Sequence, residues 1–233
     1  MNTFRPNSFQ LIPSVVKNLI IINVLVFIAQ LTFDETNGMS NFFALHDVRS
    51  YFFKPHQIVT HLFMHGGFAH LFFNMFALWM FGAALENYFG AKKFLIFYMV
   101  SGIGAALLHL GTLYVELSPA YEELSRLSTD AAAQYIYNPR MNINVATVGA
   151  SGAVFGCLAA FGFLFPNSLI YIYFFIPLKA KWFVIIYAAA ELYMGIQNNP
   201  GDNVAHFAHL GGAVFGFLFA YFWKKRRFDN RWN

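Results

Sequence analysis

Long stretches of this chain contain no Asp, Glu, Lys or Arg, among them residues 18–33, 94–115, 141–178 and 203–223. No other feature restricts the fold as tightly. Crossing the ~30 Å hydrocarbon core of a bilayer as a helix takes about 20 apolar residues, and several of these stretches reach that length. Charged residues make up only 11% of the chain, about half the share a soluble domain carries. The chain therefore reads as an all-α polytopic membrane protein.

Six spans are expected, at residues 16–33, 62–88, 94–115, 148–165, 182–198 and 204–223. They leave a short N-terminal segment (1–15) and a basic tail (224–233). The first run lacks a small-x-small cleavage site and is not expected to be a cleaved signal. With the N-terminus inside, 11 of the 15 Lys and Arg residues fall on the inner side. They include Lys92, Lys93, Lys179, Lys181 and the cluster from Lys224 to Arg227. Only Arg49, Lys54, Arg126 and Arg140 fall outside. This positive-inside bias places both termini inside, as an even number of spans requires. It also accounts for the net charge of +4 without a nucleic-acid partner. The single cysteine, Cys157, says nothing about redox compartment.

Two outer loops are long, at 34–60 and 116–146. The second holds Glu122, Glu123 and Arg126 at helical spacing, which predicts a surface helix. The fourth span is short. From Ser151 to the Pro166-Asn167 break is about 15 residues, or ~22 Å at 1.5 Å per residue. A helix ending at the inner face thus begins below the outer surface. Irregular backbone at that depth requires a wet or protein-lined hollow, so residues 142–150 are expected to drop into one.

Ionisable and polar groups inside a membrane are costly and point to function. Span two carries His61, His65, His70 and Asn74, span four Ser151, and span six His206 and His209. Ser151, His209 and Asn74 each lie 14 residues above the inner end of their span, which puts them in one layer ~21 Å up. His70 is one turn from Asn74. Gly152 and Gly156 on span four, and Gly212 and Gly216 on span six, form small-residue rows that allow close helix approach. A serine and a histidine at the tops of two such helices make a nucleophile and a general base. Phe155, one turn below Ser151, is placed to stack on the imidazole. The Ser151 N–H, beside Gly149, with His70 and Asn74, could supply donors to an oxyanion. No acidic residue is counted at this level near span six, so a Ser-His dyad is expected rather than a triad.

The same residues resemble the rhomboid intramembrane serine proteases. The matching pieces are GASG at 149–152, AHLGG at 208–212 followed by Gly216, and HLFMHGGFAHLFFN at 61–74. They stand in the family's order on the matching spans, and the likeness covers residues 14–223. The resemblance implies a six-transmembrane-helix bundle with both termini inside. It also implies nucleophile Ser151, base His209, oxyanion donors His70 and Asn74, aromatic support from Phe155, and a structural glutamate at Glu86. It implies cleavage of single-pass transmembrane proteins within the lipid bilayer, with no cofactor or metal. Substrate entry would lie between spans two and five, under a mobile cap at 199–205. Where some members carry Trp-Arg in the first outer loop, this chain has His56-Gln57.

Other readings stay open on the residues. Ser151 could serve only packing. His206 could order a loop, and His61 with His65 could hold Zn²⁺, although the Glu of HExxH is missing. Glu191 could join a proton path or bond locally, and His109 reads as buried and structural. A catalytically silent, rhomboid-like binder of transmembrane clients is the alternative for the whole chain. A transporter would need a repeat or a second broken helix. The active site is expected to open to the non-cytoplasmic side, with a bacterial plasma membrane as the expected location.

Overall fold

The computed structural model of the protein describes residues 9–136, 143–172, 175–197 and 204–229. Helix α1 spans Ser14–Asn37, followed by the short helices α2 (Met39–Phe43) and α3 (Gln57–Thr60) of the first long loop. Span two is broken into four pieces. A 3-10 turn at His61–Phe63 precedes α4 (Phe68–Ala77), a π-helical segment at Leu78–Gly82 and α5 (Ala83–Phe89). Helix α6 (Ala91–Glu116) leads to α7 (Ser118–Arg126) and α8 (Thr129–Ile136) of the second long loop. Then come α9 (Ser151–Leu164), strands β1 (Leu169–Ile172) and β2 (Ile176–Lys179), α10 (Ala180–Gln197) and α11 (His206–Asp229).

Among the described residues, three helical stretches are long and apolar enough to cross a membrane: Ser14–Asp34, Phe68–Phe89 and Ala91–Glu116. Helix α9 is apolar but shorter, at 14 residues, which is ~21 Å of rise. Large apolar side chains on the outer faces stay exposed, among them Leu25, Leu31, Phe68, Phe73, Leu107 and Ile186. That is the inverse of a soluble fold and suits lipid as the surrounding solvent.

The structure departs from the expected spans in three places. Membrane-crossing helix begins at Phe68 rather than at 62, because the 3-10 turn and the stretch to Gly67 intervene. Helix α11 runs on past Trp223 to Asp229. Between α9 and α10, where no regular element was expected, β1 and β2 pair antiparallel, with Leu169 opposite Lys179 and Ile172 opposite Ile176. The hairpin closes on the Ala180 N–H, which donates to the Ser168 carbonyl at 2.8 Å.

Helices α6, α9 and α11 form the tightest part of the bundle, and glycines are the reason. A Cβ at Gly216 would lie 2.5 Å from the Gly156 Cα and carbonyl oxygen, and one at Gly212 would collide with the Gly152 carbonyl. The α9 glycines serve a different neighbour. A Cβ at Gly152 would sit 2.5 Å from the Ala105 Cβ, and one at Gly156 would sit 2.5 Å from the Ser101 Cβ, both on α6. The two rows thus let three backbones meet, not two. Helix α10 is peripheral. It packs on α9, α11 and the hairpin.

Glu86 ties α5 to the start of α1. Pro13 precedes α1 and offers no side-chain cap. The Glu86 carboxylate fills that role, accepting from the Val16 N–H at 2.8 Å, the Val15 N–H at 3.0 Å and the Ser14 hydroxyl at 3.2 Å. An anion at a helix N-terminus satisfies orphan donors and complements the helix dipole.

The first long loop is fixed by polar side chains. Gln57 is fully buried; its amide donates to the Phe52 carbonyl at 2.8 Å and accepts from the Lys54 N–H at 3.1 Å. His56 Nε2 donates to the Phe42 carbonyl at 2.8 Å. His56-Gln57 therefore folds the loop on itself. Arg49 pairs with Asp47 at 2.8 Å and lies 4.2 Å from the ring centres of both Tyr114 and Tyr121. The Asp47 carboxylate bound to it raises the Arg49 guanidinium above its ordinary range. This latch joins loop one to the top of α6 and to α7, the surface helix expected around Glu122, Glu123 and Arg126.

Candidate active site

The chain entering α9 is held from both sides. Thr147 exchanges backbone hydrogen bonds with Leu45, at 2.8 and 2.9 Å, in a single bridge to loop one. The Thr147 hydroxyl meets His109 Nε2 at 2.7 Å, and the Gly149 N–H donates to the His61 carbonyl at 2.9 Å. His61 in turn places Nδ1 2.7 Å from the Gln57 carbonyl. His61 and His109 therefore act as struts under the segment that delivers Ser151. Gly149 has φ +131, and a Cβ there would strike the His70 ring at 2.8 Å. Only glycine fits both demands. Ser151 then opens α9, with its backbone N–H in the first turn, where no intrahelical partner exists.

Ser151 Oγ lies 2.9 Å from His209 Nε2. The approach of α11 to α9 produces this contact, since His209 lies one turn above Gly212. Phe155 stacks on the His209 imidazole at 4.2 Å between ring centres and 6° between planes. Tyr187 of α10 also stacks on Phe155, at 5.1 Å between ring centres.

His70 stands across from this pair. Its Nδ1 accepts from the Gly66 N–H at 3.3 Å, which leaves the ring proton of the neutral form on Nε2. A Cβ at Gly149 would be 2.8 Å from that Nε2, so the N–H edge of His70 borders the backbone just before Ser151. Asn74 is buried, and its Nδ2 donates to the His70 carbonyl at 2.9 Å. One amide proton is thus spent within α4, and the other remains for an oxyanion.

The expectation that no acid stands near His209 is overturned. Glu191 Oε2 lies 2.9 Å from His209 Nδ1 and 2.7 Å from His206 Nδ1. All three residues are at most 12% exposed in their side chains. The layer count compared only the expected spans two, four and six, which share one direction. Glu191 is on the fifth span, which runs the other way, and it is 18 residues earlier in the chain. Counting from the outer ends would have found it. With spans ending at 198 and starting at 204, Glu191 and His209 lie ~10 and ~8 Å down.

Ligand atoms of Glu191, His206 and His209 lie within 4.8 Å of one another, close enough to hold a metal ion. The donor set favours hydrogen bonding instead. Both imidazoles address one carboxylate oxygen, and the second nitrogen of His209 is already against Ser151. The other histidine pair, His61 and His65, has His61 Nδ1 on the Gln57 carbonyl, while neither ring nitrogen of His65 has a hydrogen-bond partner among the described residues. The expected cap at 199–205 lies largely outside the described residues.

A serine hydroxyl on an imidazole, stacked and carboxylate-bound at the buried start of a short helix, has the parts of a hydrolase site. Comparison with known proteins points the same way. The chain is 32% identical over 169 residues to Rhomboid protein 1, mitochondrial, of Saccharomyces cerevisiae, covering 72% of this chain and 42% of that protein. It is 28% identical over 201 residues to RHOMBOID-like protein 12, mitochondrial, of Arabidopsis thaliana, covering 86% and 55%. It is also 27% identical over 169 residues to Rhomboid protease GluP of Bacillus subtilis, covering 70% and 25%. The chain thus spans about half or less of the length of these relatives. Two of them are mitochondrial by name, so the expected bacterial plasma membrane draws no support from them. The Rhomboid domain family model matches residues 53–226, which takes in every residue of the Ser151–His209 site, and this integral membrane protein belongs to the rhomboid family.

Proposed function

We propose that the protein is an intramembrane serine endopeptidase that cleaves transmembrane segments of membrane-protein substrates. The observation that carries this reading is the 2.9 Å contact between Ser151 Oγ and His209 Nε2. It lies within hydrogen-bond reach for proton transfer.

His209 Nε2 takes the hydroxyl proton as Ser151 Oγ attacks the peptide carbonyl carbon. The carbonyl π pair moves to oxygen. That oxyanion is received by the Ser151 N–H, by His70 Nε2–H and by the free Asn74 amide proton. Collapse expels the amine, which takes the proton back from His209 Nε2 and leaves an acyl ester on Ser151. Water then enters from the outer side and attacks the ester carbon as it gives a proton to His209; collapse breaks the bond to Ser151 Oγ, His209 returns the proton to that oxygen, and the acid is released. A peptide bond inside a helix is shielded by its own hydrogen bonds, so substrates should be single-pass proteins with a helix-weakening segment.

In this reading six spans carry the site, with both termini on the positive, inner side and the hollow opening outward. Substrate enters between α4 and α10. The peripheral packing of α10 supports that route, because a helix held mainly by α9, α11 and the hairpin can yield at its α4 side. A fluorophosphonate probe tests the nucleophile. Peptide mass spectrometry should find the adduct on Ser151, and it should vanish in His209→Ala. An adduct elsewhere, or none, would favour a catalytically silent binder of transmembrane clients.

A further inference from the structure

We propose that Glu191 completes a Ser151–His209–Glu191 triad, as a positioning residue that sets the tautomer and orientation of His209. The proposal rests on the protease reading above and assigns a role that reading does not need.

Proton bookkeeping at one carboxylate carries the argument. A carboxylate oxygen only accepts. Glu191 Oε2 lies 2.9 Å from His209 Nδ1 and 2.7 Å from His206 Nδ1, so both imidazoles must present Nδ1–H to it. A neutral His209 with its proton on Nδ1 has its lone pair on Nε2. That lone pair meets the Ser151 hydroxyl at 2.9 Å. The other tautomer would carry a proton on Nε2 and could not accept from the serine. Glu191 therefore selects the form of His209 that can act as a base.

The same contact holds the imidazolium that forms when Ser151 gives up its proton. The proton moves from Ser151 Oγ to His209 Nε2, and Glu191 remains an acceptor throughout without itself taking a proton. His206 has a separate job. Its N–H on the same oxygen pins the carboxylate, which otherwise has a flexible side chain to swing on. Three groups thus fix the ring of His209: Ser151 and Glu191 at its two nitrogens and Phe155 on its face, with Tyr187 stacked in turn on Phe155. Tyr187 and Glu191 are one turn apart on α10, so one face of that helix supports the base twice over.

The test measures kcat and KM on a generic transmembrane substrate with the full chain in bilayer nanodiscs. Glu191→Gln keeps the shape but replaces one acceptor oxygen with a donor, which favours the unproductive tautomer. The expected result is a loss of kcat of about 10²–10⁴-fold, the contribution of a positioned general base, with KM and the midpoint of thermal unfolding little changed. Glu191→Asp should recover part of the loss. A Glu191→Gln enzyme within about threefold of wild-type kcat overturns the triad, while Ser151-dependent cleavage by the wild type leaves the protease reading intact. A wild type with neither cleavage nor fluorophosphonate labelling overturns both.

A second measurement is independent of whether Glu191→Gln folds. Nitrogen-15 spectra of histidine-labelled wild-type protein should show neutral His209 with its proton on Nδ1, and a proton on Nε2 overturns the proposal. Loss of wild-type cleavage on adding EDTA, with recovery on adding Zn²⁺, would make the three residues metal ligands and overturn it as well.

Discussion

Replacing Gly212 with alanine should separate the base from the nucleophile without touching either. At Gly216, two turns below His209, an added Cβ would stand 2.5 Å from the Gly156 Cα and carbonyl oxygen, against 3.4 Å for an ordinary contact. Relief there needs an outward shift of about 0.9 Å. At Gly212 the collision with the Gly152 carbonyl is closer still, so α11 must move further. Both partners are backbone, and no side chain can give way. Ser151 Oγ and His209 Nε2 start 2.9 Å apart, so a shift of that size takes them past hydrogen-bond distance. A misplacement of ~1 Å costs about 10²-fold in rate, and overpacking costs about 1–3 kcal/mol in stability. The assay is the initial rate of cleavage of a model transmembrane substrate in nanodiscs, paired with thermal unfolding. Gly111→Ala is the control, because a Cβ there meets nothing within 4 Å. The reasoning is refuted if Gly212→Ala stays within about tenfold of wild type while Gly111→Ala does too.

Three further outcomes follow from the same geometry. Phe155→Ala removes the ring stacked on His209 at 4.2 Å; an aromatic pair contributes about 0.5–1.5 kcal/mol, so kcat should fall about 2–10-fold, and an unchanged kcat would remove Phe155 from the site. Glu86→Ala strips three donors at the start of α1 and should lower stability by about 1–3 kcal/mol, read by thermal unfolding; an unchanged midpoint would refute the capping role. His46 in loop one is fully buried, and burial lowers its pKa from 6.5. The unfolded chain then binds the proton first, so His46 contributes stability above pH ~6.5 that is lost as pH falls through its folded value. His46→Asn should flatten that part of the stability profile, and an unaltered slope would refute the assignment.

Chemistry at the site was legible in the sequence where spacing along one helix carried it. His70 with Asn74, Ser151 with Phe155, and His209 with Gly212 are each about a turn apart, and helical periodicity alone aligns them. The shared depth of Ser151 and His209, now 2.9 Å apart, was legible because their spans run in the same direction. Glu191 escaped for the opposite reason, being on an antiparallel span whose depth has to be counted from the other end. The double use of the glycine rows was legible only in part. A small residue announces close approach, but which neighbour fills the space depends on helix rotation, and Gly152 and Gly156 turn their Cβ positions to α6. The β1–β2 hairpin and the π-helical Leu78–Gly82 segment left no usable signal. Both lie in continuously apolar sequence, where periodicity cannot separate strand from helix. The capping role of Glu86 is a contact across 70 residues, and the family resemblance pointed to it where local pattern could not.

The central claim is that Ser151 breaks peptide bonds within a membrane. Its most direct measurement is cleavage of a purified single-pass transmembrane substrate in nanodiscs, with the product termini located by mass spectrometry. The account predicts a cut within the transmembrane segment or at its edge, lost in Ser151→Ala and in His209→Ala. Cleavage that persists undiminished in Ser151→Ala, or a wild type that leaves every such substrate intact, would contradict it.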